Sequence, residues 1–311
     1  MDTDDLQDLL DRIVDSVREV DDGEPHELPV HRDADLDLTA LALVDSEDDR
    51  MSSGDADVAF PVQSMSKAFA YGLAIDTVGL DTVFDHVDVE PSGDAFNRIS
   101  LTAGDRPDNP MINAGALTVH ALLPGSTGDE RFRALRDLLS RMAGRELAVN
   151  EDLVGQELAD ADRNLGIAHL LKALGVLTGD PHDVVEGYTR QCAIEATTVE
   201  FARMAATLAH DGRVPGTEEQ VLSPLAARQV LSVMMTCGMY DDAGEWVTSV
   251  GLPGKSGIAG GIIAAVPGRC GIAAYSPRLD THGSSVRGIL ALEKLSSELS
   301  LHLLRPGLAK I

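Results

Sequence analysis

The chain has 311 residues, 44% of them hydrophobic but only 4% aromatic, so aliphatic side chains must fill one large core or two coupled subdomains. Its 51 acidic residues against 25 basic ones leave a formal net charge of −26, which repels nucleic-acid phosphates and anionic membrane surfaces. No run of about 18 apolar residues offers a membrane span, and the acidic start "MDTDDLQDLL" is unlike a signal peptide, so a cytoplasmic location is expected.

Residues 2–22 read as an amphipathic helix, with Leu6, Leu9, Leu10, Ile13, Val17 and Val20 on one stripe. "GEPHELPVHRD" breaks it. "LDLTALALVD" (36–45) alternates as a strand, placing Leu36, Leu38, Ala40, Ala42 and Val44 on one face. "DSEDDRMSSGDAD" reads as a polar turn and "VAFPVQ" as a returning strand. "SMSKAFAYGLAIDTVG" follows as a helix capped by serine and stopped at Gly79. From about 80 to 235 helical periodicity dominates, as in "ERFRALRDLLSRMAG", "RNLGIAHLLKALGVLTG", "TTVEFARMAATLAHDG" and "SPLAARQVLSVMMTCG". Then "EWVTSVGLPGKSGIAGGIIAAVPGRCGIAAYSPRLD" breaks into short apolar runs between Pro-Gly and Gly-Gly steps, a texture of successive antiparallel strands. "SSVRGILALEKLSSELSLHLL" closes the chain as an amphipathic helix. No internal repeat or low-complexity linker interrupts the order. The expected fold is α+β, an α/β sandwich with a helical subdomain, all within a single catalytic domain spanning 1–311. The sheet subdomain comes from about 1–79 and 236–311 and the helical subdomain from about 80–235, leaving a cleft at their junction where small molecules commonly bind.

Within "SMSK", Ser64 and Lys67 are three apart and share a helix face, whereas Ser66 lies about 100° round from Lys67. A serine hydroxyl needs a base to become a nucleophile. A lysine can be that base once desolvation depresses its pKa, and Phe60, Val62, Phe69 and Tyr71 flank the motif. The competing reading is a helix-capping serine beside a surface lysine. "GKSG" (254–257) adds Lys255-Ser256-Gly257 at the start of the strand region, the arrangement found beside the nucleophile helix in acyl-serine enzymes. A phosphate-binding loop is ruled out because its first glycine would fall at Ser249, and a plain turn is the remaining alternative. "DADLDL" (33–38) fails as a calcium loop, with Leu38 and Val44 where glycine and glutamate are required. The nine histidines show no ligand-pair spacing, so no metal is expected, and Cys192, Cys237 and Cys270 read as core thiols.

"QSMSK", "EPSGDAFN", "NPMINAGA", "DRN", "QCAIE", "LSP", "CGMYD", "GLPGKSGIAGGI", "VPG" and "SPRLD" resemble, in wording and order over residues 55–295, the β-lactamase-like serine glutaminases. The resemblance implies a fold like that of the serine β-lactamases and transpeptidases, hydrolysis of L-glutamine to L-glutamate and ammonia, and no cofactor. It implies Ser64 as nucleophile and Lys67 as its base, with Tyr240 touching the reacting end and Gln63, Lys255 and Ser256 in support; since departing ammonia needs a proton, Tyr240 is the expected relay. Asn113, Glu157, Asn164, Tyr188 and Tyr240 would hold the substrate together with Ser64. Ile258 stands where the family usually has valine and would contribute its backbone N–H. Glu157 would take the α-ammonium, and Asn113, Asn164 and Tyr188 the α-carboxylate. The family's "Tyr-Ile-Pro" corresponds here to Glu27-Leu28-Pro29, and no tyrosine precedes Tyr71. The resemblance also implies a homodimer or homotetramer. Two other readings are a β-lactamase or peptidase-type acyl-serine hydrolase, and a non-catalytic glutamine or glutamate sensor.

Five lysines against 34 aspartates further suggest a surface adapted to molar salt, which would screen the self-repulsion of so acidic a chain. On that reading the thermal midpoint and the activity both rise from low salt to molar KCl. Thermal denaturation and activity that stay flat or fall over that range contradict it.

Overall fold

Helix α1, Thr3–Arg18, forms where Leu9, Leu10, Ile13, Val14 and Val17 recur at helical spacing and bury together. The structure, a computed structural model, describes residues 3–93 and 100–305, so Asp94–Asn97 of "EPSGDAFN" lie outside the described residues. The short α2, Pro29–Arg32, opens on proline, whose fixed φ suits a first helical position. Strands β1, Ala40–Asp45, β2, Arg50–Gly54, and β3, Ala59–Pro61, follow. A 3-10 turn at Gln63–Met65 leads into α3, Ser66–Val78.

The middle of the chain carries α4, Leu80–His86, α5, Asn113–Ala121, and α6, Gly128–Ala143. After the short β4, Ala148–Val149, come α7, Glu151–Ala159, α8, Asp162–Ala173, and α9, Pro181–Cys192. Strand β5, Ile194–Thr197, precedes α10, Thr198–Ala209, and α11, Pro224–Cys237. The chain closes with α12, Ala243–Ser249, then β6, Gly254–Ser256, β7, Gly261–Val266, β8, Cys270–Tyr275, and α13, Val286–Leu299.

Both ends of the chain build one antiparallel sheet in the order β2-β1-β8-β7-β6. The mixed helix-and-strand architecture is the α+β fold expected from the sequence. Strand β1 buries both of its faces: Ala40, Ala42 and Val44 join the core on the side of α3, α10 and α11. Leu41 and Leu43 join the core formed with α1, α12 and α13. A three-layer arrangement results, with α1 and α13 on one face and α10 on the other.

Several local expectations change. "DSEDDRMSSGDAD" contains β2, an edge strand whose half-exposed residues carry no clean alternation. Leu36 and Asp37 form a turn, and β1 begins only at Ala40. Strand β3 does return, but it pairs with β5 in a separate β3-β5-β4 sheet. "AGEWVTS" is helical, with Trp246 buried against the outer core, where an extended run was expected. Helix α3 continues directly from the 3-10 turn with Met65 at its cap position, and no serine side chain caps it. Helix α10, from the middle of the expected helical stretch, packs on the sheet itself.

That docking depends on small residues. A Cβ placed on Gly271 of β8 would lie 2.0 Å from Ala206 N and 2.2 Å from Ala202 O of α10. Ala202, Ala205 and Ala206 let the helix backbone approach the strand this closely. On the opposite face Arg287, only 1% exposed, donates to Arg18 O, Val20 O, Leu36 O and Thr39 Oγ1 at 2.8–3.0 Å. It ties the end of α1 and the approach to β1 onto α13. Gly271→Ala is expected to cost about 3 kcal/mol, because backbone rather than a mobile side chain must give way. Chemical denaturation with an unchanged m-value checks this, and a loss under about 1 kcal/mol contradicts the close-packing account.

Candidate active site

Ser64 sits in the 3-10 turn that bridges the two sheets. Val62 N donates to Ile194 O at 2.7 Å beside β5. On the other side, a Cβ on Gly257 would lie 3.1 Å from Val62 O, so the turn rests on the strand end just past β6. Gln63 takes φ +47°, a left-handed conformation uncommon for a residue with a side chain. The turn is thus fixed from both sides, and Ser64 is 6% exposed. Ser66 points into the interior, where its Oγ accepts from Gln191 Nε2 at 3.0 Å. Gln191 Oε1 in turn meets His120 Nδ1 at 2.8 Å. Ser66 therefore belongs to a buried polar chain that supports the turn.

Lys67, one turn along α3 and 1% exposed, donates from Nζ to Asn113 Oδ1 at 2.7 Å and to Met111 O at 3.3 Å. Burial depresses its pKa to about 8, partly offset by Cys192 and Glu157. Asn113 is the first residue of α5 and donates from Nδ2 to Asn164 Oδ1 of α8 at 3.1 Å. Gly115 explains part of the "NPMINAGA" wording, since a Cβ there would fall 1.9 Å from Asn109 O.

The second lysine arrives from the sheet. Lys255 pairs in register with Ile263, whose side chain faces the α3 side, so Lys255 faces the same way. It is fully buried, its Nζ lies 4.0 Å from the centre of the Tyr240 ring, and it donates to Ser256 O at 2.7 Å. Burial and then the charge of Lys67 push its pKa well down. Ser256 pairs with Ile262, which belongs to the opposite core, so it serves this cluster through its carbonyl rather than its hydroxyl. Tyr240 adopts φ +57° in the turn after α11. Its hydroxyl donates to Ser256 O at 3.3 Å and shares a hydrogen bond with the Ser64 side chain. Burial raises its pKa to about 12, so the phenol stays protonated at neutral pH.

A third group gathers at α7 and α9. Glu157 Oε1 accepts from Gln63 Nε2 at 2.8 Å, and burial raises its pKa. Tyr188, 4% exposed on α9, lies among Cys192, Glu157 and Tyr240, each of which acts on it electrostatically after burial as the main cause. Ile258 lies in the turn two residues past β6, and its N–H makes no hydrogen bond to another of the described residues. The chain thus brings Gln63, Ser64, Lys67, Asn113, Glu157, Asn164, Tyr188, Tyr240, Lys255, Ser256 and Ile258 around one turn. A wider groove of about 1100 Å³, lined by residues such as His210, Arg213, Leu225, Arg228 and Leu303, uses none of them.

Three participants were not expected at the site from the sequence. Met111 supplies a carbonyl, Cys192 lies beside Lys67 and Tyr188, and His31 Nε2 lies 3.0 Å from Gln63 Nε2. Glu27, at the position expected to carry tyrosine, is exposed, and the buried side chain at this wall is His31. Its partner is 32 residues away, a pairing that only the fold creates.

This constellation places a hydroxyl, two charge-poor lysines, a neutral phenol and a separate carboxylate around one enclosed point, the equipment of acyl transfer to serine. A glutaminase from Corynebacterium glutamicum is 46% identical over 302 residues, spanning 96% of this chain and 73% of that protein. The crystal structure of Mglu in its glutamate form superposes with a TM-score of 0.92 at 44% identity, over 96% of this chain and 70% of that one. Mglu in its L-glutamate binding form in the presence of 4.3 M NaCl gives the same score and identity, over 97% and 68%. The glutaminase family profile matches residues 25–304. With a fold, a clustered set of side chains and a profile that agree over nearly its whole length, the chain belongs to the glutaminase family.

Proposed function

We propose that this glutaminase hydrolyses L-glutamine to L-glutamate and ammonia through an acyl-enzyme on Ser64. The observation that carries the mechanism is the buried Lys67, whose pKa of about 8 leaves it able to take a proton near neutral pH. At pH 7 about a tenth of such a group is neutral, against about one part in 2500 for an ordinary lysine.

Lys67 accepts the Ser64 proton as Oγ attacks the side-chain carboxamide carbon. The tetrahedral oxygen is met by backbone N–H groups, those of Ser64 and Ile258, which are suited to hold a developing negative charge. The Tyr240 phenol, protonated and joined to Ser64, passes a proton to the departing nitrogen, and ammonia leaves. Lys255, over the Tyr240 ring and bonded to Ser256 O, stabilises the phenol oxygen as that proton moves. Water then attacks the acyl ester, its proton returns through the same groups, and glutamate is released. Glu157 takes the α-ammonium and Asn113, Asn164 and Tyr188 hold the α-carboxylate, so simple amides would leave buried polar groups unpaired and be rejected. Mglu, a relative at 44% identity, has been crystallised with L-glutamate in 4.3 M NaCl, which supports both the product and a salt-tolerant working range for this chain.

Ser64→Ala is expected to lower ammonia release from L-glutamine by at least a thousandfold, or about 4 kcal/mol. Equal release by Ser64→Ala removes Ser64 as nucleophile, and no release by the unaltered chain across salt and phosphate conditions overturns the glutamine reaction itself. Because Lys67 must lose its proton to act, kcat/KM is expected to rise with pH through about 8. A profile already flat above about pH 6.5 contradicts Lys67 as the base.

A further inference from the structure

We propose that His31 is a positioning residue for recognition of the substrate's α-amino group, acting through Gln63 on Glu157. The inference rests on the reading of Glu157 as the α-ammonium acceptor. A single nitrogen makes both contacts: Gln63 Nε2 lies 2.8 Å from Glu157 Oε1 and 3.0 Å from His31 Nε2. An amide NH2 has two protons and no lone pair to offer. With one proton on the carboxylate, the other falls on His31, so Nε2 of His31 is the accepting nitrogen and its ring proton sits on Nδ1. Burial, reinforced by the neighbouring His26, keeps the imidazole neutral down to about pH 4, so the acceptor persists across the working range.

The surroundings hold this arrangement in place. His31 is 6% exposed, and the His26 ring meets it edge-on with centroids 5.8 Å apart. Val30 N donates to Gln156 Oε1 at 3.1 Å, which ties α2 to α7 next to Glu157 itself. Leu28 and Val30 pack against Leu153 and Val154 of the same helix. His31 and Glu157 therefore grip Gln63 from two elements that are docked on each other. If His31 offered no acceptor, the amide could turn and set its carbonyl against Glu157, repelling the carboxylate it now orients. With Oε1 engaged by Gln63, Oε2 of Glu157 is left for the ammonium. Histidine here supplies at the N-terminal wall an interaction that the exposed Glu27 cannot.

The test compares L-glutamine with glutaric acid monoamide, which lacks only the α-amino group, in molar KCl. Variants are His31→Leu, which accepts no hydrogen bond, and His31→Gln, whose side-chain oxygen reaches the Nε2 position. His31→Leu is expected to lower the ratio of kcat/KM for glutamine over the monoamide about tenfold, the change lying in KM for glutamine, and His31→Gln to restore it to within about twofold. Should His31→Leu not fold, His31→Asn, whose acceptor falls short of Gln63, carries the same expectation. A ratio unchanged in the folded variant, or one that His31→Gln does not restore, overturns the proposal. Glu157→Ala separates the two levels. If the ratio collapses in Glu157→Ala but holds in His31→Leu, the proposal for His31 fails alone. If Glu157→Ala leaves it intact, the assignment of Glu157 fails and the role of His31 with it.

Discussion

The site depends on burying Lys67. An ammonium group taken out of water loses several kcal/mol of hydration unless it is paired, and it relieves that loss by giving up its proton. Lys67 is held by the Asn113 amide oxygen and the Met111 carbonyl, which orient it without adding a full negative charge. Cys192 and then Glu157 act on it electrostatically, and both influences are smaller than that of burial. A carboxylate bonded directly to the amine would return the pKa toward that of an ordinary lysine. The carboxylate is instead engaged with Gln63, on the side where a substrate ammonium is expected. On the proposed mechanism, one cluster thereby keeps a base poised and an anion available without letting them neutralise each other.

The rest of the molecule serves that separation. Alanine and glycine on one face of the main sheet bring α10 close, which lets the interior exclude water with very few aromatic side chains. Strand alternation sends Lys255 toward the Ser64 turn and the Ser256 side chain away, so one three-residue strand delivers an amine and a carbonyl to the same spot. The left-handed backbones of Gln63 and Tyr240 cost free energy that the surrounding packing must offset. Both touch Ser64, Gln63 as its chain neighbour and Tyr240 through a side-chain hydrogen bond.

The serine–lysine pair was legible because both residues lie within one helical turn, and geometry alone separates Ser64 from Ser66. Lys255 was legible because a lysine-serine-glycine step between apolar runs reads as a strand start. Strand β2 was not, since an edge strand with half-exposed polar residues has no burial pattern to betray it. The helix around Trp246 was hidden by neighbouring Gly and Pro steps that suggested extended chain. His31, Met111 and Cys192 were invisible because each enters through a contact between distant parts of the chain, and Met111 and the carbonyl of Ser256 act through backbone that any residue could supply.

Lysine is rare in this chain, with five in 311 residues, and two of them lie buried at the site while the acidic excess lies largely on the outside. That scarcity makes a direct titration practical. Selective 13C labelling of lysine, with Lys67 assigned by its loss in Lys67→Arg, reports the ionisation of its ε-carbon as pH is raised in molar KCl. The account predicts that Lys67 titrates at about 8. A midpoint near the ordinary lysine value of about 10.4 would contradict the claim that burial prepares it to activate Ser64.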